Sequence, residues 1–352
     1  MDSGIGPYTN IQNERVVVAS HPHLSFVFDR HPNTTMDKDI YSALETRLGR
    51  VHLQQRLGIE TDYEARVFGQ GINFFHLENW YSIHRVIRGA LRCMGLHGRG
   101  KRNVLKLRVT HNDLVLRDLP AAFAGFRILH ISDLHLDMNE HIPHALIERV
   151  RGIEYDLCVL TGDFRGKTYG PYAATVEAMQ RVRVHLKEPV FGILGNHDTI
   201  RMVPGFEAAG VRMLLNESVP IERAGQVIYL AGVDDAHYYR VANIDRAVRD
   251  IPREATAILL SHTPEIFRHA AHSGFAAMLA GHTHGGQICL PGGIPIMLNA
   301  RCPKRFCAGA WHFHNMQGYT SVGSGASIVD VRFNCPPEVV VHTLRCGAPA
   351  SQ

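Results

Sequence analysis

From Phe126 onward, short uninterrupted apolar runs alternate with longer stretches of helical period. The runs FRILHIS (126–132), YDLCVLT (155–161), PVFGILGN (189–196), VIYLAGV (227–233), TAILLSH (256–262) and FAAMLAG (275–281) predict strands. Pro143 to Val150, Ala173 to Leu186 and Pro264 to His272 predict the helices between them. Strands that lack a polar alternate are covered on both faces, so the succession predicts an α/β domain. GYTSVGSG (318–325) and EVVVHTLR (338–345) add strands. They favour a two-sheet β-sandwich flanked by helices.

The first third of the chain reads differently. Residues 1–77 form an N-terminal extension with one predicted helix, Asp39 to Leu57, and the turn-rich segments HPHL and HPNTT. Residues 78–125 form a lead-in, and 126–347 the main domain. In the lead-in, Trp80, Ile83, Ile87, Leu91 and Met94 share one helical stripe, and Arg85, Arg88 and Arg92 share another. GRGKR (98–102) extends the basic run with Arg99, Lys101 and Arg102. Such a helix suits the interface of an anionic bilayer, so residues 79–102 are a candidate for peripheral membrane association. It equally suits a surface helix packed on the core with solvated arginines. Leu105, Leu107 and Val109, then Leu114 to Leu116, flank the turn formers His111, Asn112 and Asp113 and predict a hairpin.

A chain of 352 residues, 45% hydrophobic, can bury a full core. Its excess of four basic residues is too small to argue for nucleic acid, and no long basic groove is visible in the sequence. The seven cysteines are odd in number and irregularly spaced, and the start MDSGIGPYTN lacks an export signal, so a cytoplasmic location is expected, with the inner membrane face as a peripheral site. Cys302 and Cys307 are read either as a metal clip or as a plain loop pair. No apolar stretch approaches the ~20 residues that span a bilayer. The 23 histidines are the compositional outlier.

Histidine, aspartate and asparagine gather where the predicted strands end: SDLH (132–135), GDF (162–164), GNHD (195–198), SHTP (261–264) and GHTHGGQ (281–287). Loops beyond the carboxyl ends of α/β strands are where ligands collect. Carboxylate, amide oxygen and imidazole together suit two divalent cations holding a phosphate. Asp133 and His135 sit two apart, so in an extended stretch both face one side. His282 and His284 repeat that spacing. Asp163 is the natural bridging carboxylate, with Asn196 and His262 arriving from further strand ends. Gly162, Gly195, Gly281, Gly285 and Gly286 let the backbone turn beside them.

The ordered set DxH, GD, GNHD, H and GHxH resembles the calcineurin-like metallophosphoesterase superfamily over roughly residues 126–346. It is most similar to the bacterial branch with SDLH, GHTHGGQ and a C-terminal PE strand, here Pro337 and Glu338. The resemblance implies a first metal on Asp133, His135, Asp163 and His284, and a second on Asp163, Asn196, His262 and His282. It implies His197 as the catalytic imidazole and a helix-flanked β-sandwich as the fold. Manganese leads as the metal, and iron and zinc also fit mixed nitrogen and oxygen ligands.

The implied chemistry is hydrolysis of a phosphodiester or pyrophosphate, with the cations activating water and neutralising phosphate oxygens. Relatives that act on UDP-2,3-diacylglucosamine in lipid A synthesis supply the specific expectation, a lipid-linked nucleotide at the membrane surface. A broad phosphodiesterase of soluble nucleotides and a metal-binding scaffold without turnover are the alternatives. GDFRGK carries Gly166 where phosphoprotein phosphatases have a second Asp, which weakens a phosphoprotein reading. Arg165 remains a candidate phosphate contact. His130, His237, Asp234 and Asp235 are candidates for orienting the ligands. Asp198 either orients His197 or caps a turn, and His185 and His342 read as ordinary histidines.

Overall fold

The computed structural model describes residues 38–68 and 81–347. HPHL, HPNTT and Trp80 lie outside the described residues, as do the side chains of Tyr81, Ile83 and Arg85.

The strands are β1 (Arg108–Leu116), β2 (Arg127–Ile131), β3 (Leu157–Leu160), β4 (Val190–Gly192), β5 (Arg212–Met213), β6 (Glu217–Arg223) and β7 (Gln226–Gly232). They continue with β8 (Ala257–Leu260), β9 (Ala277–Ala280), β10 (Cys289–Leu290), β11 (Ile294–Pro295), β12 (Gly309–Phe313), β13 (Met316–Thr320) and β14 (Glu338–Cys346). One sheet runs β1-β14-β2-β3-β4-β5 and the other β12-β13-β9-β8-β7-β6, while β10 and β11 form a small hairpin. In the first sheet β2 to β5 are parallel, and in the second β7, β8, β9 and β13 are parallel.

The two sheets close on each other through Ile128, Val159 and Phe191 on one side and Leu230, Ile258 and Leu279 on the other. The outer face of the first sheet is covered by α1 (Lys38–Leu48), α2 (Arg50–Phe68), α5 (Ile142–Val150) and α6 (Ala173–Arg183). The helix Phe267–His272 and the loop around Phe306 cover the second sheet. The result is the helix-flanked two-sheet sandwich expected. Every residue of β3, β4, β8 and β9 is buried, which is why those strands read as unbroken apolar runs.

Register places the chemistry on one edge. Ile131 pairs with Leu160 and Leu160 with Gly192, while Leu260 pairs with Leu279. The polar clusters therefore begin within a few residues of one another in space, at the carboxyl ends of β2, β3, β4, β8 and β9.

Three expectations fail. The hairpin across 105–116 is a single strand, β1, parallel to β14, with Asn112 Nδ2 3.1 Å from His342 Nδ1. The His-Asn-Asp sequence is tolerated because β1 is an edge strand in which His111 and Asp113 are exposed. The single helix over 39–57 is two helices, broken at Gly49, whose φ of +84 no helix accommodates. On α3 (Tyr81–Cys93), Ile87 and Leu91 pack on Val329 and Val331 while Arg88 and Arg92 are exposed, but Met94 leaves the stripe and is 59% exposed. The helix ends at Cys93, and the following turn carries Gly95 at φ +67. Among the described residues no helix is long and apolar enough to cross a membrane.

Candidate metal centre

The loops after β2, β3, β4, β8 and β9 bring all the sequence-predicted ligands together. Asp133, His135 and His284 form one buried group and Asp163, His262 and His282 a second, each with ligand atoms within 4.8 Å of one another. Asn196 Oδ1 lies 2.7 Å from His282 Nδ1 and 3.0 Å from His262 Nε2, at the second group. Asp163 Oδ2 stands between the groups, 3.2 Å from His262 Nε2 and 3.9 Å from His135 Nε2. Its other oxygen accepts from the His197 N–H at 2.9 Å, so one carboxylate oxygen is left facing both groups.

The side chains are not aimed by extended backbone, contrary to the two-residue spacing argument. Asp133, His135, Asp163, His282 and His284 all have positive φ, between 42° and 73°. Each such residue costs about 1–3 kcal/mol and persists only where its surroundings over-determine it. Two glycines make the close approach. A Cβ on Gly195 would collide with Asp163, and a Cβ on Gly281 would collide with Ser132 and Asp133. Ser132 Oγ donates to Asp133 Oδ2 at 2.6 Å, and the His282 N–H lies 3.1 Å from both Asp133 oxygens.

Outer contacts orient the imidazoles. His135 Nδ1 donates to Arg165 O and His262 Nδ1 to Thr161 O, both at 2.7 Å, which turns each Nε2 into the centre. His284 Nδ1 instead meets Arg332 Nη2 at 3.2 Å. Burial, His135 and Arg332 hold the His284 imidazole well below the ordinary histidine range, so it is neutral. Burial likewise depresses His282, with the charges of His237 and His262 adding to the effect. Burial pushes His262 down too, but the Asp163 carboxylate outweighs it and raises the imidazole to about 10.

The residues fit divalent cations on this geometry. His135 Nε2 and His284 Nε2 converge to 3.1 Å beside Asp133, and His282 Nδ1 and His262 Nε2 converge on Asn196 Oδ1. Such mixed imidazole, carboxylate and amide sets suit first-row ions. His197 lies at the rim of the same space, with Nε2 3.9 Å from Asp163 Oδ2 and its ring edge-on to His135. Burial lowers it to about 4 against the opposing pull of Asp163, so the imidazole is neutral near pH 7.

The remaining candidates take other parts. Asp198 accepts from the N–H groups of Asp163, Gly195, Phe164 and Arg165, so it ties the GDF and GNHD loops together. Arg165 is buried and spends its guanidinium on the carbonyls of His197, Thr168 and Gly170, which removes it as a phosphate contact. Asp235 accepts from His237, Tyr238 and Tyr239 N–H and so shapes the loop that sets the His237 ring against that of His282, with centroids 4.3 Å apart and the planes tilted by 46°. Asp234 instead faces His52 at 2.8 Å. His130 is buried between Thr161 and His342. Cys302 and Cys307 Sγ lie 3.7 Å apart, and among the described residues no further ligand completes a metal group there.

A family model for calcineurin-like phosphoesterases matches residues 126–286, the span of all five ligand loops. The protein YpbG of Bacillus subtilis is 31% identical over 62% of this chain and 81% of its own length. The chain belongs to the calcineurin-like phosphoesterase family. The metallophosphoesterase YkoQ of B. subtilis is 28% identical over 70% of this chain and 93% of its own length. The phosphodiesterase YaeI of Escherichia coli is 29% identical over 63% and 83%. As a calcineurin-like phosphoesterase, the chain is a hydrolase acting on phosphoester bonds, from a family that depends on two metals.

Sequence reasoning missed several supports of this phosphoesterase centre. Arg332, fully buried, donates to Val322 O and Gly325 O beneath His284, yet nothing marks it within VDVRF. Glu338, noted only as part of a PE pair, accepts from Thr110 Oγ1 at 2.7 Å and from Val322 N at 3.1 Å, joining β1 to the loop behind Asp133.

Proposed function

We propose that this chain hydrolyses a phosphodiester or pyrophosphate at a centre of two divalent cations. Asp133, His135, Asp163 and His284 hold the first, and Asp163, Asn196, His262 and His282 the second. The observation that carries this reading is the Asp163 oxygen that faces two buried ligand groups at once. When bound, two such ions supply Lewis acidity at the phosphoryl oxygens and lower the pKa of water. His197, held at the rim by its backbone bonds to Asp163 and Arg165, is the imidazole that handles the proton of the leaving oxygen. The E. coli relative's description as a phosphodiesterase supports a diester over a monoester.

The favoured ion is Mn2+, with iron and zinc served by the same ligands. Hydrolysis of bis(4-nitrophenyl) phosphate with manganese tests the reading. Activity lost in His197→Ala and Asn196→Ala supports it. Equal turnover in wild type and both variants sinks it, and a wild type without turnover leaves a scaffold.

A lipid-bearing substrate is the more specific reading. The hairpin that follows GHTHGGQ exposes Leu290, Ile294, Ile296 and Met297, each at least half accessible, and its Pro295 and Met297 close over Gly286. Beside it, α3 and α4 (His97–Val104) expose Arg88, Arg92, Arg99, Lys101 and Arg102, and α3 and Ile288 share the patch around Val331. Apolar and basic groups at one rim suit an amphiphile on an anionic surface. UDP-2,3-diacylglucosamine is the proposed example, and a soluble nucleotide diester the alternative. Mass-spectrometric detection of UMP from the lipid conjugate supports the first; turnover of soluble diesters alone supports the second.

A further inference from the structure

Outside the ligand groups, a buried polar network joins α2 to two loops of the centre. His52, Arg56 and Glu60 recur every fourth residue and so share one face of that helix. Glu60 is 4% exposed, and its oxygens accept from Thr199 Oγ1 at 2.6 Å and from Ile200 N at 2.8 Å, with Arg201 Nη1 at 3.3 Å. Arg56 is fully buried. Its Nη2 donates to Asp198 O at 2.8 Å, its guanidinium carbon lies 3.3 Å from the centroid of the Tyr239 ring, and its Nε is 3.3 Å from Glu60. His52 Nε2 lies 2.8 Å from Asp234 Oδ2.

These contacts fall on the backbone immediately after Asn196 and His197 and on both sides of His237. Glu60 and Arg56 hold residues 198–200, the continuation of GNHD, while Arg56 and His52 hold Asp234 and Tyr239. A buried charged cluster adds little net stability compared with apolar packing, and Leu53 already anchors α2 in the core. What the polar face supplies is register between the helix and the loops.

We infer that α2 is a positioning helix for the centre, with Glu60 and Arg56 setting the placement of Asn196 and His197. The inference rests on the function proposed above, since it assigns those two residues their importance. Misplacing a reacting group by about 1 Å costs up to a hundredfold in rate, and ground-state binding is spared.

The test uses the full chain and compares Glu60→Ala, Glu60→Gln and Leu146→Ala, a core truncation in α5. The readouts are kcat and KM on bis(4-nitrophenyl) phosphate, manganese per chain after dialysis, and amide exchange over 196–201. Glu60→Ala is expected to lower kcat at least about tenfold with KM little changed, to lose one ion, and to speed exchange at 196–201. Glu60→Gln, which can accept from Ile200 and donate to Thr199, is expected to stay within about twofold of wild type on all three. Leu146→Ala melts lower but keeps kcat, both ions and loop protection. Wild-type kcat and exchange in Glu60→Ala, or losses no greater than those of Leu146→Ala, would overturn the positioning role. A wild type that neither binds manganese nor hydrolyses the diester refutes the proposed function instead, and the exchange pattern alone then decides whether α2 sets the loop.

Discussion

Substituting Gly281 by alanine separates damage to the centre from damage to the fold. The new methyl would meet Ser132 Oγ and Asp133 Oδ2 inside normal contact, by roughly 1 Å for the carboxylate. Ser132 can rotate aside, but doing so breaks its bond to Asp133, and relief of the remaining clash comes from moving the carboxylate off the His282 N–H. Overpacking of this kind costs about 1–3 kcal/mol, partly offset by the lower unfolded-state entropy of alanine, worth about 0.4–1 kcal/mol. A domain stable by about 5–15 kcal/mol therefore stays folded. A carboxylate displaced by roughly 1 Å costs up to about a hundredfold in rate, or about 2.7 kcal/mol.

Activity should thus fall by more than stability does. Urea denaturation, kcat and metal content by mass spectrometry measure the three quantities. Gly274→Ala is the control, because Gly274 has φ +88 and nothing within 4 Å of its would-be Cβ. It should lose about 1–2 kcal/mol of stability and keep its metal and turnover. Equal metal content and kcat in Gly281→Ala and wild type would refute the reasoning.

Three further outcomes are expected. Because Asp163 raises His262 to about 10, that imidazole carries a proton at pH 7 and must lose it to become a ligand. Titration calorimetry in buffers of different ionisation enthalpy should show about one proton released, with affinity rising as pH rises toward 10; a buffer-independent enthalpy contradicts this. Asp198→Asn offers its amide group to two backbone N–H groups that now donate to Asp198, and should cost about 2–4 kcal/mol in urea unfolding; a change under about 0.5 kcal/mol argues against the tie between loops. Arg88→Glu with Arg92→Glu should abolish flotation with anionic vesicles without changing turnover of the soluble diester, and equal flotation would end the membrane-surface reading.

The parts of this protein visible in its sequence are those where local pattern and tertiary environment agree. β2, β3, β8 and β9 are covered on both faces, so burial leaves an apolar run, and the ligand loops start where each run stops. β6 and β12 were not anticipated: β6 carries Pro220 at an edge position and alternates polar with apolar, and β12 is a five-residue strand of mixed character. β1 was misread because His111, Asn112 and Asp113 have turn chemistry that nine pairings with β14 override.

Within the centre, the gathering of these residues was legible and their backbone conformation was not. Nothing in SDLH announces that Asp133 and His135 are left-handed. Supports that act at long range left still less trace. The spacing of His52, Arg56 and Glu60 is plain, but a polar helical stripe ordinarily faces solvent, and only the fold shows it buried against Asp198, Thr199 and Asp234.

The central claim, that Asp163 is shared by two cations, is tested most directly by anomalous diffraction at the manganese edge from crystals grown with that ion. The account predicts two peaks about 3.5–4 Å apart on either side of the Asp163 carboxylate, one beside His135 and His284 and one beside His262 and His282. A single peak, or two that do not share Asp163, would contradict it.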